Sequence, residues 1–232
     1  MSSIITCSSN DKLFPRKLNI LSDRPQTIYY RGDIEIINKK CVAIIGSRSC
    51  SQDALILAYK TAEKAVEKGL VVVNGLALGC DAEALKGALS KNGKCVAVMP
   101  CGLEQIQPKS NKYIADEILE KGGCIISEYP EGTPIQKYNY VKRDRIQSCI
   151  SDGIIIIETN MKSGTMHTAD FAIRQKKRLA CYGTSIMKHA SGNKYLEEVQ
   201  KALALNSLKD ADVFLDFLVE EPEFEQIRLE LF

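Results

Sequence analysis

From Cys41 onward, short apolar runs alternate along the chain with amphipathic stretches. The apolar runs lie at 41–45, 70–74, 95–99, 124–127, 153–158 and 179–182, and the helix-like stretches at about 52–68, 81–91, 111–121 and 166–176. Continuous apolar runs of this length are typical of strands that are buried on both faces. The alternation therefore predicts an α/β fold in which a mostly parallel sheet carries helices on both faces.

The pattern divides the chain into three parts. Residues 1–38 are predicted to form an N-terminal arm with an extra strand at 27–30, and residues 39–185 the α/β core. Residues 186–232 are predicted to form a helical, acidic extension, with helices at 193–203 and 211–218 and a break at 220–223. This extension most simply docks on its own domain, and a partner-binding tail is the alternative.

Small and polar residues follow five of the predicted strands. They are Gly46-Ser47-Arg48, the turn from Gly75 to Gly79, Gly102-Leu103, Ser127-Glu128 and Ser163-Gly164-Thr165. The carboxyl ends of parallel strands meet at one edge of a sheet, where ligands of open α/β folds bind. A single glycine turn is usually only a chain reversal, but five at one edge predict a binding site.

The turn after the first core strand has the chemistry of an anion site. Gly46 permits close approach of the backbone, Ser47 supplies a hydroxyl, and Arg48 offers a planar fork that suits phosphate. The N–H groups at the start of the helix that follows are free to donate. We therefore expect a phosphate group here, and a second one at Ser163-Gly164-Thr165.

The segment 137–145, KYNYVKRDR, places two tyrosines ahead of Lys142, Arg143 and Arg145. Cationic groups on phosphates and aromatic rings stacked on bases are what single-stranded nucleic acid requires. Alternatively, the tyrosines pack against the sheet edge while the basic residues face solvent or pair with carboxylates such as Glu128.

Composition narrows the function only modestly. The net charge is +2, but residues 1–185 hold 26 basic and 19 acidic residues, a net +7, whereas residues 186–232 hold 5 and 10, a net −5. A basic body suits a polyanion, although such asymmetry also serves solubility. Nine cysteines with no metal-type spacing indicate core thiols in a reducing cytoplasm, and neither a secretory signal nor a membrane span is recognisable.

Groups suited to catalysis are scarce. The chain lacks G-x-G-x-x-G and Walker motifs, and we expect no catalytic residue, metal site or cofactor. His167 and His189 have no evident carboxylate partner. Glu128 and Glu158 lie at strand ends, where orienting arginines is a simpler role than acid–base catalysis. Asp81 is expected to cap the helix that begins at residue 82.

Together these stretches resemble the DNA-processing protein A family, DprA or Smf. The matching segments lie within residues 25–183, and they are VAIIGSR at 42–48, NGLALGCD at 74–81, GL at 102–103, ISEYPEG at 126–132, KRDRI at 142–146 and SGTMHTA at 163–169. The resemblance implies an extended Rossmann-like fold and a cytoplasmic protein, usually a dimer. Such a protein binds and protects single-stranded DNA and loads RecA recombinase during DNA uptake and recombination, natural transformation in competent cells included.

Carried over by position, the resemblance implies a DNA site made of particular residues. They are Gly46, Ser47, Arg48, Gly75, Gly79, Lys109, Lys142, Arg143, Arg145, Ser163, Gly164 and Thr165. The chain departs from the family pattern at Asp144, where the family has asparagine between the two arginines, and no winged-helix module is evident in the acidic tail.

Two other functions stay open at this point. One is a nucleotide-binding sensor or phosphoribohydrolase of the related Rossmann-like superfamily, in which Glu128 would be the residue to test. Its Pro-Gly-Gly-x-Gly-Thr turn is reduced here to Gly164-Thr165. The other is an interaction module that acts through residues 205–232.

Overall fold

A computed structural model describes residues 3–220 of the chain. The strands are β1 (Ile5–Ser8), β2 (Thr27–Gly32), β3 (Cys41–Ile45), β4 (Val71–Asn74), β5 (Cys95–Met99), β6 (Cys124–Ser127), β7 (Gly153–Ile156), β8 (Arg178–Tyr182) and β9 (Leu203–Leu205). The α-helices are α1 (Gln52–Glu67), α2 (Cys80–Ser90), α3 (Lys112–Glu120), α4 (Lys137–Ile150), α5 (Thr165–Arg174), α6 (Ser191–Glu198) and α7 (Leu208–Val219). Short 3-10 helices lie at Arg16–Ile20, Ile34–Asn38 and Lys109–Asn111.

All nine described strands form one sheet in the order β1-β2-β6-β5-β4-β3-β7-β8-β9. The pairs β1/β2 and β2/β6 are antiparallel, and the other six pairs are parallel. From the central strand β3 the chain moves outward through β4, β5 and β6. It then returns to the other side of β3 as β7. The strand order therefore reverses between β3 and β7, which is where open α/β sheets bind ligands.

Helices cover both faces of the sheet, as the alternating pattern predicted. One face packs against α1, α2, α3 and α7. The other packs against α4, α5, α6 and the short helices of the N-terminal arm. Every residue of β3 is buried, from Cys41 to Ile45, which explains why it is apolar throughout rather than alternating.

Segments near both ends of the described residues are part of the same sheet. The N-terminal arm supplies β1 as well as the predicted β2, and the acidic extension supplies β9 beside β8. The predicted helix 193–203 is too long, because the chain leaves α6 at Glu198 and enters β9 at Leu203. Of the predicted break at 220–223, only Glu220 falls within the described residues; it is the C-cap of α7.

Helix α4 is the main element that the apolar pattern did not predict. Its buried residues include Arg143, Asp144, Arg145 and Gln147, so no apolar stripe marks its inner face. A helix that buries charged groups is stable only if those groups pair with one another or with the backbone. Arg143 donates to Val98 of β5, and Arg145 donates to Asp23 and Glu128, so most of their partners come from other elements.

Candidate functional site

A cavity of about 710 Å³ opens at the reversal point between β3 and β7. Its wall comes from the loop after β3, from α4, from the loop after β7 with the start of α5, and from the turn after β4. The lining residues are Ile45, Gly46, Ser47, Arg48, Ser49, Ala77, Asp81, Lys137, Tyr140, Val141, Arg143, Asp144, Gln147, Asn160, Lys162, Ser163, Gly164, Thr165, His167 and Thr168.

The loop after β3 brings Arg48 to the mouth of the cavity. Gly46 is packed so closely that a Cβ there would lie 2.5 Å from the Cys80 Sγ atom. The Ser47 N–H donates to the carbonyl oxygen of Glu158 at 2.8 Å, which ties the loop to the end of β7. Arg48 itself is exposed, and its guanidinium carbon lies 5.2 Å from the ring centroid of Tyr140. This cation–π contact orients the arginine at the mouth.

The N-terminus of α1 is occupied by the protein itself. Ser51 is the N-cap, and its Oγ accepts from the Ala54 N–H at 3.2 Å. The Glu158 carboxylate accepts from the Ser51 N–H at 3.2 Å and from its hydroxyl. The predicted anion at the start of α1 is thus Glu158, and this carboxylate caps a helix rather than orienting an arginine.

The start of α5 offers a second helix N-terminus, and this one faces the cavity. Gly164 is the N-cap residue and has no side chain, the Ser163 Oγ accepts from the Thr165 N–H at 3.3 Å, and a Cβ added at Gly164 would meet nothing within 4 Å. Ser163 and Thr165 flank it, and the exposed Lys162 stands beside them on the cavity wall. The partial positive charge of the helix start adds to that of Lys162, which favours an anion here.

The floor of the cavity is a buried cluster of Arg143, Asp144 and Asp81. Arg143 Nη1 donates to the Val98 carbonyl oxygen at 2.5 Å, and its Nε lies 3.0 Å from Asp144 Oδ1. The Asp81 carboxylate accepts from the Gly75 N–H at 3.0 Å. A Cβ at Gly75 would lie 1.9 Å from Arg143 Nη1, so only glycine leaves room for the guanidinium.

Both carboxylates of the floor are shifted toward their neutral forms. Burial raises the pKa of Asp81, with Arg143 opposing the shift. Burial also raises the pKa of Asp144 to about 6, and Arg143 and His167 oppose that shift. Asp81 does not cap its helix as expected, because α2 begins at Cys80 and the Asp81 side chain bonds to the preceding loop.

The rim of the cavity is therefore cationic, whereas the charge on its floor is compensated. Arg48, Lys137 and Lys162 are exposed and carry the positive charge of the rim, beside the Tyr140 ring. An open rim of this kind can hold the phosphates of a ligand while a base or sugar meets the aromatic ring. Within residues 3–220, no cluster of three or more histidine, cysteine, aspartate or glutamate side chains could hold a metal ion.

Arg145 does not line the cavity, contrary to the expectation from position. Its side chain is only 4% exposed and makes a bidentate pair with Glu128, at 2.9 and 2.8 Å. It also donates to the Asp23 carboxylate at 2.7 Å and to the Lys142 carbonyl oxygen. Successive residues of α4 point in different directions, so Arg143 reaches the cavity while Arg145 locks the helix to the N-terminal arm.

The other predicted site residues divide into three groups. Gly46, Ser47, Arg48, Arg143, Ser163, Gly164 and Thr165 lie together on the cavity wall. Gly75 and Gly79 lie behind it and allow close packing of Arg143 and of the Arg48 loop. Lys109 lines a second cavity of about 530 Å³, beside Lys112 and Arg31, and the exposed Lys142 lines neither.

Several residues of the wall were not among the predicted site residues. Lys137 and Tyr140 lay in the segment singled out as basic and aromatic, but their helical spacing was not recognised. Lys162 stands directly before Ser163, and this position was the only signal for it. His167 shares the wall with them, although its sequence context gave no partner.

The chain is thus a protein of the open, Rossmann-like α/β class, with a cationic cavity that includes an aromatic ring where the strand order reverses. The chain matches the DNA recombination-mediator protein A family over residues 5–216, and it belongs to that family. It is 31% identical to protein Smf of Escherichia coli over 171 residues, which cover 74% of this chain and 46% of that protein. It is 33% identical to DNA processing protein DprA of Streptococcus pneumoniae over 180 residues, covering 76% of this chain and 62% of that one.

Solved structures agree with this assignment. The Streptococcus pneumoniae DprA structure superposes with a TM-score of 0.82 at 30% identity and covers 91% of this chain and 74% of its own. DNA processing protein A of Helicobacter pylori, whose structure describes a single-stranded DNA binding mode, gives a TM-score of 0.82 at 28% identity, covering 94% and 98%. The Chlamydomonas reinhardtii molybdenum cofactor carrier protein, at 17% identity and a TM-score of 0.57, covers 79% of this chain and 99% of its own and shares the fold alone.

The chain spans between about half and two-thirds of the length of three curated relatives that it matches. Within the described residues, no helix is both long and apolar enough to cross a membrane. The Rossmann-like α/β fold and the family membership expected from the sequence are confirmed.

Proposed function

We propose that this chain binds single-stranded DNA in the cavity between β3 and β7. The observation that carries the proposal is the rim, where Arg48 is held over the Tyr140 ring and the exposed Lys137 and Lys162 line the same cavity. The cations would contact phosphates, and the half-buried ring offers a surface on which a base can stack. The described binding mode of the Helicobacter pylori relative supports the same ligand.

The rim favours a single strand over a duplex. Duplex bases are stacked on each other and present only their edges in the grooves, whereas a single strand can turn a base toward Tyr140. Because the cationic contacts are made to phosphates, binding should tolerate changes of sequence and weaken steeply as salt increases.

The test is a fluorescence-anisotropy titration with a labelled oligonucleotide at several salt concentrations. Arg48→Ala should weaken binding by about 1–3 kcal/mol, or roughly 5- to 150-fold, because it removes a charged contact to an ionised group. It should also reduce the salt dependence by about one released ion. The unfolding midpoint should stay unchanged, because Arg48 is exposed.

Arg174→Ala is the matched control for that titration. Arg174 is also exposed and also lies over an aromatic ring, that of Phe171, but it is at the opposite end of α5 from Gly164. Its loss should leave affinity within experimental error. Equal effects of the two substitutions would refute the cavity as the DNA site, since they would reflect net charge alone.

The remaining expectations of the family are part of the proposal. In this proposal the protein acts in the cytoplasm as a homodimer that protects single-stranded DNA and loads a RecA-type recombinase. Two exposed apolar side chains one turn apart on α7, Val213 and Phe217, support a contact with a second copy. Light scattering of the purified chain tests the dimer. The rate at which a RecA-type recombinase nucleates on single-stranded DNA, measured with and without this protein, tests the loading.

The small-nucleotide alternative loses its expected catalytic residue. Glu128 is paired with Arg145 and does not line the cavity. The Glu128→Gln substitution should therefore have no direct effect on a ligand bound there. Competition in the same titration separates the two ideas. Displacement of the labelled oligonucleotide by micromolar mononucleotide would favour a small ligand. Displacement by unlabelled oligonucleotide but not by mononucleotide would support a polymeric ligand.

A further inference from the structure

The inner half of the cavity is polar and lies deeper in the protein than the cationic rim. One face of α4 runs from the exposed Lys137 past the half-buried Tyr140 to Asp144 and Gln147, which are 7% and 2% exposed. These residues are three or four positions apart, so they share one face of the helix. With a rise of about 1.5 Å per residue, Asp144 lies about 6 Å and Gln147 about 10 Å beyond Tyr140 along the helix axis.

Four side chains of this inner half have polar atoms that face the cavity without a full set of partners. They are Ser47, Asp144, Gln147 and Thr168, each at most 7% exposed, and all four line the cavity. Within the described part of the chain, no hydrogen bond is made by the side-chain amide of Gln147 or by the hydroxyls of Ser47 and Thr168. Among the same residues, the Asp144 carboxylate contacts one partner, the Arg143 guanidinium at 3.0 Å. Buried polar groups are normally hydrogen-bonded, so these four are available to a polar ligand.

The donors and acceptors at the inner end match one DNA base. Burial raises the pKa of Asp144 to about 6, with Arg143 opposing the shift, so at pH 7.5 the carboxylate is ionised and only accepts hydrogen bonds. Gln147, three residues further along the same face, has an amide N–H to donate. Guanine alone has two adjacent N–H donors, on N1 and N2, beside the carbonyl oxygen O6 on its Watson–Crick edge. Adenine, cytosine and thymine would each place an acceptor atom against the carboxylate.

We propose that the inner half of the cavity is a guanine pocket and that Asp144 is the residue that determines its specificity. The Asp144 carboxylate accepts from N1–H and N2–H of the base, and the Gln147 amide donates to O6. A cavity of about 710 Å³ is within the range of small-ligand sites, so one nucleotide fits. The base enters past the Tyr140 ring while its phosphates stay at the rim, which is how proteins read a base that is turned out of a strand.

The guanine pocket rests on the proposed function, because the base arrives as part of a bound single strand. The phosphate contacts of the rim stay tolerant of sequence. The preference therefore concerns only the one base that enters the cavity.

The test is the anisotropy titration at pH 7.5 and fixed salt, with short strands of equal length so that few binding registers compete. Oligothymidine, the labelled strand for every titration of this protein, is compared with strands that carry one guanine, one adenine or one cytosine at the centre. The guanine strand should bind at least fivefold more tightly than the other three. This is the lower end of the roughly 5- to 150-fold discrimination that a bidentate contact to a base provides.

Asp144→Asn separates base recognition from the other effects of this residue. An amide pairs with N1–H and O6 of guanine as well as it pairs with N3–H and O4 of thymine, so the preference should disappear while all strands still bind. Effects on folding or net charge act on every strand and cancel in the ratio of affinities. Asp170→Asn is the matched control and should keep the preference, because Asp170 is exposed on α5 and does not line the cavity.

Each result decides the proposal. Equal affinity for the four strands, preference for another base, or a guanine preference that survives in Asp144→Asn would overturn the guanine pocket and leave DNA binding standing. If no strand binds, the proposed function is refuted, and calorimetric titration with millimolar 2′-deoxyguanosine or 2′-deoxythymidine monophosphate decides the pocket. Tighter binding of the guanine nucleotide that is lost in Asp144→Asn would then support the pocket, whereas equal or absent binding of both nucleotides would overturn it.

Discussion

Removal of the Arg145 side chain should greatly lower the free energy of unfolding and leave the cavity unchanged. The guanidinium makes five hydrogen bonds, two of them to Glu128 and three to Asp23 and the Lys142 carbonyl oxygen. Side chains of Arg145 and Glu128 are 4% and 9% exposed, so this pair has little access to water. Asp23 is 60% exposed, and its contact contributes little.

The magnitude follows from the charge that Arg145→Ala leaves behind. Glu128 would stay buried without its partner, and breaking a buried pair in this way typically costs about 3–5 kcal/mol. With an m-value of about 2–3 kcal/mol/M in urea, the unfolding midpoint should fall by about 1–2.5 M. Circular dichroism through a urea titration measures this directly.

A paired substitution shows whether the buried charge is the cause. Arg145→Met combined with Glu128→Gln removes both charges at similar volume, so it should recover most of the loss caused by Arg145→Ala. DNA affinity should stay near wild type wherever the protein is folded. A well-folded Arg145→Ala variant that keeps the wild-type unfolding midpoint but has lost DNA binding would refute this interpretation. It would instead indicate that Arg145 contacts DNA.

Two further predictions concern the cavity and its loop. The pKa of Asp144, raised to about 6 chiefly by burial, lies above its unfolded value, so the ionised carboxylate costs stability above pH 6 and the cost is relieved as the pH falls toward 4. The change in unfolding free energy caused by Asp144→Asn should therefore be about 2–3 kcal/mol more favourable at pH 7.5 than at pH 4, measured by urea titration at each pH, and a pH-independent change would contradict the assignment. DNA affinity should rise from pH 7.5 to 5.5 in wild type and less in Asp144→Asn. Ser51→Ala should lower the unfolding free energy by about 1 kcal/mol, because it removes the N-cap of α1 and a partner of Glu158. Ser49→Ala, on the same loop but outside the cap, is the control. Equal losses of unfolding free energy in the two variants would refute the capping role.

The sequence alone determined the frame of this protein. Six core strands and the helices α1, α2, α3 and α5 were predicted close to their observed bounds, because buried parallel strands are apolar throughout and the helices between them are amphipathic. Local turn chemistry likewise singled out Gly46-Ser47-Arg48 and Ser163-Gly164-Thr165, and both turns line the cavity. These signals are contained within a few neighbouring residues.

Only the tertiary structure decided which charges serve the cavity and which serve the fold. Arg143 and Arg145 look equivalent in the sequence, but one reaches the cavity floor and the other is bound by Glu128, seventeen positions away in the chain. Glu158 proved to cap α1 for the same reason: its partner, Ser51, is 107 residues distant. A buried charge takes its role from the group that compensates it, and that group is fixed by the packing of separate elements rather than by local sequence.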